Sequence, residues 1–288
     1  MKFLRSLSTF FPLLFLLVAT SVRAQGPPFQ TDDPVPVDFR HYEFYIFGAT
    51  DGTPVETDFS GPAFEFNWGA IPRVQIHGVL PFVSIHPSNN PIYLPSGEGS
   101  SEYGLGDMEL GAKIAFIKET KRVPQIGSFT MFEIPTGDSD RGLGIGKVWY
   151  KLPLWAQKNI GKWTLDGGAG YQVVPQTGFH NFPYGGFLLK RAFSEKFQLA
   201  GEVFSHGSEG TAPPQIESST MMDAGGYYQL KGEGMQLLFA YGHSIAGQTE
   251  NYGYLGLYWT WGKDDKKPND KQSAKDAMVS GRFVKNGL

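Results

Sequence analysis

Between residues 146 and 174 the chain alternates apolar and polar positions twice, on either side of a tight turn. In the first arm Val148, Tyr150, Leu152, Leu154 and Ala156 share one parity, while Lys147, Trp149, Lys151, Pro153, Trp155 and Gln157 share the other. After a turn at residues 158–162, Trp163, Leu165, Gly167, Ala169, Tyr171 and Val173 alternate with Thr164, Asp166, Gly168, Gly170 and Gln172. Side chains on a strand point to opposite faces with period two. The stretch therefore predicts a hairpin with one apolar face and one polar face. Each arm is about ten residues long, enough to cross a bilayer when tilted.

The same rhythm predicts strands over residues 40–48, 63–69, 73–80, 107–117, 125–134, 184–193, 197–206, 220–230, 236–244 and 253–261. Tyr42, Phe44 and Ile46 stand opposite Glu43 and Tyr45, for example, and Leu255, Leu257, Trp259 and Trp261 stand opposite Tyr254 and Tyr258. Residues 125–134, 184–193 and 236–244 carry apolar side chains on both parities; Glu133 and Lys190 set the polar face of the first two. The total is about twelve strands, an even number, as single-chain membrane barrels of the bacterial type require. Longer links at 50–61, 84–105, 135–146, 175–183, 207–219 and 246–251 alternate with short ones at 70–72, 119–123, 159–161, 194–196 and 231–234. Long outer loops and tight periplasmic turns produce that order in an up-and-down barrel, with both termini on the periplasmic side. The expected fold is an all-β, transmembrane, antiparallel up-and-down β-barrel spanning residues 40–262. Its polar parity places Glu43, Glu65, Glu109, Lys113, Glu133, Lys147, Lys151, Asp166, Lys190, Glu202 and Asp223 toward the lumen.

Three segments fall outside the rhythm. Residues 1–24 read as a cleavable signal peptide: Lys2 and Arg5 precede a short apolar run at 10–18, and Val22-Arg23-Ala24 resembles a cleavage site. Residues 25–39, rich in proline and acid, form no regular element and are expected as a periplasmic lead that frays or folds into the barrel mouth. Residues 263–288 are polar and charged and read as a disordered periplasmic tail.

Composition narrows the function. Charged residues make up 18% of the 288 and apolar residues 41%, and no apolar run is long enough for a transmembrane helix. Abundant glycine (37) with 15% aromatics suits many short strands closed into a barrel. Without the three bases of the signal peptide, 22 bases face 28 acids, which excludes a nucleic-acid partner. The absence of cysteine removes disulfide and thiol chemistry. The six histidines have no metal-ligand spacing, so neither metal nor cofactor is expected. Asp138 and Asp140 lie in a glycine-rich loop without the terminal glutamate of a calcium loop, and the GLGIG string at 142–146 lacks the strand–helix setting of a phosphate loop. Ser205 and His206 invite comparison with a hydrolase, but a catalytic triad is defined by geometry.

Several strings carry a resemblance. They are Pro27-Pro28-Phe29 with Thr31-Asp32-Asp33-Pro34, then GLGD-x-x-LG-x-K at 104–113, then Glu133-Ile134-Pro135-Thr136-Gly137-Asp138 followed by the GLGIG string. The chain resembles, over roughly residues 27–262, the outer-membrane transporters grouped as the MetA-pathway-of-phenol-degradation family. The resemblance implies a bacterial outer-membrane β-barrel associated with uptake, sometimes of aromatic compounds, and brings no catalytic motif. Outer-membrane lipid, a small solute and the assembly machinery are the implied partners. Barrels of this kind usually end on an aromatic residue; Trp259 and Trp261 fit, but the chain runs on past them. The leading expectation is passive passage of small, aromatic or hydrophobic solutes. The alternatives are a structural barrel with a closed lumen and a barrel hydrolase. The oligomeric state is not fixed by these residues.

Overall fold

The computed structural model describes residues 28–89, 100–210, 217–230 and 234–262. The signal peptide and the charged tail lie outside the described residues. The described chain forms β1 (His41–Gly52), β2 (Glu56–Ile71), β3 (Val74–Pro87), β4 (Glu102–Leu105), β5 (Met108–Ile117), β6 (Gln125–Ile134), β7 (Trp149–Ile160), β8 (Trp163–Val173), β9 (Phe182–Ala192), β10 (Phe197–His206), β11 (Ser219–Gln229), β12 (Met235–Gly247) and β13 (Asn251–Gly262). All pairings are antiparallel, and β1 pairs with both β2 and β13, which closes the sheet. The segments β4 and β5 both pair with β3, along Phe82–Ile85 and Val74–Val79 respectively. They are two halves of one stave interrupted at Gly106 and Asp107, so thirteen segments make a twelve-stranded barrel.

The exterior is apolar because the outward parity of each strand is apolar. Phe66, Ile76, Leu110, Leu152, Leu154, Phe187 and Leu255 all face out and are exposed. Tyr42 stacks on Phe66, Trp68 and Trp261 at the end that carries both barrel termini. Arg191 lies 4.9 Å over the Trp163 ring on the same end. Near the opposite end Phe132 meets Tyr150 and Phe82 stacks on Tyr103. Two aromatic girdles flanking an apolar belt are the signature of a lipid-facing barrel wall.

Tight turns close the terminal end. Gly161 follows β7 with φ 62° and Arg73 follows β2 with φ 69°, left-handed conformations that short hairpin turns demand. At the loop end two links are shorter than the sequence suggests. Most of residues 50–61 and half of residues 246–251 are strand, leaving only residues 53–55 and 248–250 as connections. The first is pinned by Thr53, whose N–H bonds to Glu56 O at 2.8 Å and whose hydroxyl accepts from Val55 N–H at 3.2 Å. A register shift between Ser60 and Ala63 breaks the alternation of β2, which hides its first half from a period-two reading and leaves only residues 63–69 legible.

The interrupted stave is held by side chains. Asp107 accepts hydrogen bonds from Gly137 N–H and Ile145 N–H, each at 2.9 Å, through separate carboxylate oxygens. Thr136 donates its hydroxyl to Gly106 O and accepts from Met108 N–H, both at 2.9 Å. A Cβ on Gly144 would stand 2.2 Å from Asp107 Oδ1, so glycine there lets the backbone wrap the carboxylate. The GLGD and PTGD strings and the GLGIG run are therefore one interlocked knot. Asp138 caps the adjacent short 3-10 turn at Ser139–Arg141 by accepting from Asp140 N–H. Among the described residues no group of side chains is arranged to hold a metal ion.

Candidate functional site

The interior parity carries the polar side chains, and these form several groups. On β2, β3 and β5, His77 spans Asn67 Oδ1 (2.7 Å) and Glu109 Oε1 (2.6 Å), and Asn67 donates to Glu65 at 2.8 Å. Glu43 accepts from Tyr258 OH at 2.8 Å. Lys190 and Asp166 make a sealed ion pair at 3.0 Å across neighbouring strands β8 and β9. Glu202 on β10 stands directly opposite Asp223 on β11, and Glu109 on β5 opposite Glu133 on β6. Lys151 lies on the same parity of β7 as the buried Trp155 and Gln157, with its ammonium 5.3 Å from the Trp149 ring. Lys147 does not join these groups. It precedes β7 and is exposed in the link from β6, where strand parity no longer applies.

The lead is the largest departure from a plain pore. Residues 28–37 do not hang below the barrel but run inside it, with Phe29, Thr31, Asp33 and Val37 buried, and the chain emerges at the exposed Asp38 and Phe39. Glu202 accepts the N–H groups of Thr31 at 2.5 Å and Gln30 at 3.1 Å. Lys113 reaches Asp33 at 3.5 Å while lying 4.7 Å over the Phe129 ring. Gln75 accepts from Val37 N–H, Gln125 donates to Pro34 O, and Tyr252 donates to Pro28 O. The Phe29 ring sits 6.3 Å from that of Tyr227 in a buried cluster with Tyr45, Tyr254 and Tyr258. The wall makes room with glycine: a Cβ on Gly186 would stand 2.0 Å from Thr31 Oγ1, and one on Gly127 3.0 Å from Pro34 Cβ. The backbone N–H groups of Gln30, Thr31 and Val37 thus find acceptors on the wall, while that of Val35 bonds Asp33 within the lead, as burial requires.

Interior apolar side chains explain the ambiguous strands. Phe129 and Met131 of β6, Leu188 of β9, and Leu238 and Ala240 of β12 are buried inside, while Phe132, Phe187 and Tyr241 face out. A second buried cluster joins Phe129, Met131, Trp155, Tyr184 and Phe204.

At the loop end His206 Nε2 lies 3.1 Å from Glu250 and its Nδ1 3.7 Å from Glu209. Burial pushes the Glu209 carboxyl above the usual carboxylate range, against the opposing His206 charge. Burial acts on Glu250 in the same direction, but the His206 hydrogen bond and charge outweigh it and hold that carboxyl below its ordinary value. Ser205, adjacent in sequence, points to the other face and hydrogen-bonds Thr220 and Ser219 O. Serine and histidine are thereby kept apart, and the hydrolase arrangement is not formed by this pair. Beside β8 and β9 an open cavity of about 660 Å3 is lined by Tyr171, Val173, Phe179, His180, Phe182 and Ser208. Tyr171 and Val173 belong to the outward parity, so this is a rim feature rather than part of the lumen.

No curated protein matches the chain. Among solved structures, an outer-membrane channel of Pseudomonas putida F1 superposes with a TM-score of 0.62 at 14% identity, over 80% of this chain and 98% of that one. The translocator domain of the autotransporter NalP from Neisseria meningitidis gives 0.50 at 10% identity, over 76% and 88%. At such identities these similarities establish a shared fold, a transmembrane antiparallel barrel. The family description "Putative MetA-pathway of phenol degradation" matches residues 49–261, and the chain belongs to that family.

Proposed function

We propose that the protein is an outer-membrane channel for the passive passage of small aromatic or otherwise apolar solutes. The observation that carries this reading is a closed barrel whose belted exterior faces lipid and whose interior combines charged groups with aromatic surface. The family description and the channel from Pseudomonas putida F1 support it. The residues we assign to the lining are Glu43, Glu65, Glu109, Lys113, Glu133, Lys151, Asp166, Lys190, Glu202 and Asp223. The loop end faces the outside and the lead is inserted from the periplasmic side. Lipid surrounds the wall, and the assembly machinery delivers it there. The proposal assigns the chain no catalytic step.

A second reading, a structural barrel with a closed lumen, is favoured by one observation, the lead lying across the interior. Reconstitution separates the two. Purified protein in liposomes is expected to accelerate entrance of small neutral aromatics over protein-free vesicles. Charge reversal Lys113→Glu, which repels Asp33 of the lead, should alter that rate with the fold intact. A correctly inserted barrel that passes no solute, in the wild type or in this variant, would reject the channel reading.

A further inference from the structure

Strand register sets a row of inward positions around the wall through Gly127, Trp155, Gly168, Gly186 and Phe204. The lead crosses this row, with Pro34 against Gly127 and Thr31 against Gly186. Trp155 and Gly168 lie between those two contacts, so the lead passes over Trp155. Tyr184 adjoins, opposite Gly170, with its ring 6.3 Å from Trp155 and 6.2 Å from Phe204. A Cβ on Gly168 would stand 2.6 Å from the Trp155 ring, and one on Gly170 2.6 Å from Tyr184. Glycine on β8 therefore lets both rings lie down against the wall instead of standing across the lumen.

Two polar atoms in this wall are orphaned. Trp155 Nε1 and Tyr184 OH are buried without a hydrogen-bond partner, on side chains only 1% and 8% exposed. The lead above them offers no remedy, since Thr31 Oγ1 is itself unpaired. Leaving a buried donor bare is costly, and the indole N–H can only donate. The chemistry that satisfies this surface is a flat ring to stack and an oxygen to accept. Glu109 on β5, whose charge acts on Tyr184 and which stays in the wall when the lead departs, disfavours an anion nearby.

We propose that the wall formed by Trp155, Tyr184 and Phe204 binds an uncharged monocyclic aromatic solute bearing an oxygen acceptor, and that the solute competes with residues 31–34 of the lead for this wall. The inference rests on the channel reading above and names the solute class and its place. Stacking replaces the lead's apolar contacts, and the oxygen receives the hydrogen bonds that the lead cannot take. Because seating the solute requires the lead to leave, anything that weakens the lead's hold tightens the solute by the same factor.

The test uses the refolded chain in detergent, titrated with phenol, toluene and benzoate and followed by quenching of tryptophan fluorescence, with folding verified by heat-modifiable gel mobility. Phenol is expected to saturate, toluene to bind about three- to tenfold more weakly, as one or two neutral hydrogen bonds imply, and benzoate not to saturate. Tyr184→Phe should weaken phenol and leave toluene unchanged. Glu202→Gln, which loosens the lead without touching the ring wall, should tighten both together. Trp155→Phe should remove most of the quenching. Equal affinity for phenol and toluene in the wild type, or equal weakening of both by Tyr184→Phe, or no change in Glu202→Gln, would overturn the proposal. Liposome uptake measured in parallel keeps the two readings apart. Uptake without saturable binding removes this site and leaves the channel, whereas saturable binding without uptake removes the channel and leaves the site.

Discussion

Glu202→Ala is the most direct perturbation of the lead. Its carboxylate is buried and receives two consecutive backbone N–H groups, from Gln30 and Thr31. Hydrogen bonds to a charged group contribute about 1.5–3 kcal/mol each, so the pair holds the lead by about 3–6 kcal/mol. Removing Glu202 also relieves its opposition to Asp223 directly across the β10–β11 ladder, but that opposition is present whether the lead is seated or displaced and does not offset the loss. The loss of seating is therefore about 3–6 kcal/mol. At about 1.4 kcal/mol per decade, the population with the lead displaced rises by about 100-fold to about 20,000-fold. The chain has no cysteine, so a single Thr31→Cys substitution gives a clean reporter. Thr31 is suited to it, being buried with a hydroxyl that bonds to nothing. Labelling by a membrane-impermeant maleimide should be slow in Thr31→Cys alone and faster by the factor above when Glu202→Ala is added. Glu202→Gln, which keeps a neutral acceptor, should fall between. Equal labelling rates in all three proteins would show that this carboxylate does not hold the lead.

Three further outcomes follow from the wall. Leu154→Lys puts a charge on an exposed, lipid-facing position of β7 and should cost about 2–4 kcal/mol if it lies near the bilayer midplane, read as a lower midpoint in urea refolding into vesicles. Lys190→Met strands Asp166 inside and should cost about 3–5 kcal/mol, while Lys190→Met combined with Asp166→Leu should recover most of it; equal loss in both would mean the pair is not the source. Asp107→Ala removes the acceptor of two loop N–H groups and should open residues 135–148 to limited proteolysis while the barrel keeps its heat-modifiable mobility. The Glu250–His206 contact adds a pH dependence: because the Glu250 carboxyl is held below its ordinary value, its contribution is present above that value and fades as pH falls through the lowered one, which proteolysis of the loop end between neutral and acidic pH would reveal.

Most of the barrel is legible in the chain because one face meets lipid, which forces strict alternation on β7, β8 and β13. Alternation blurs where the inside is also apolar, as at Phe129 and Met131 or Leu238 and Ala240. Only a charge such as Glu133 or Lys190 then betrays the inward parity. It fails at Lys147, which continues the pattern of β7 in sequence but lies beyond the end of its ladder. The course of the lead has no local signal at all. Its anchors join residues far apart in the chain, Thr31 to Glu202 and Pro28 to Tyr252, and neither contact leaves a periodicity to detect. The Asp107 knot is intermediate: its strings stand out as glycine-rich, but that a carboxylate fills the glycine wrap depends on folding.

The lead is continuous with β1 through Arg40, so it occupies the wall as a tethered segment rather than as a separate ligand. A short tether confines it at an effective concentration on the order of millimolar, and dilution of the protein does not lower that figure. Any solute that uses the same wall must compete on those terms, even in a dilute environment. Sensitivity to the solute is then set within the chain, by how firmly a dozen residues grip their own barrel.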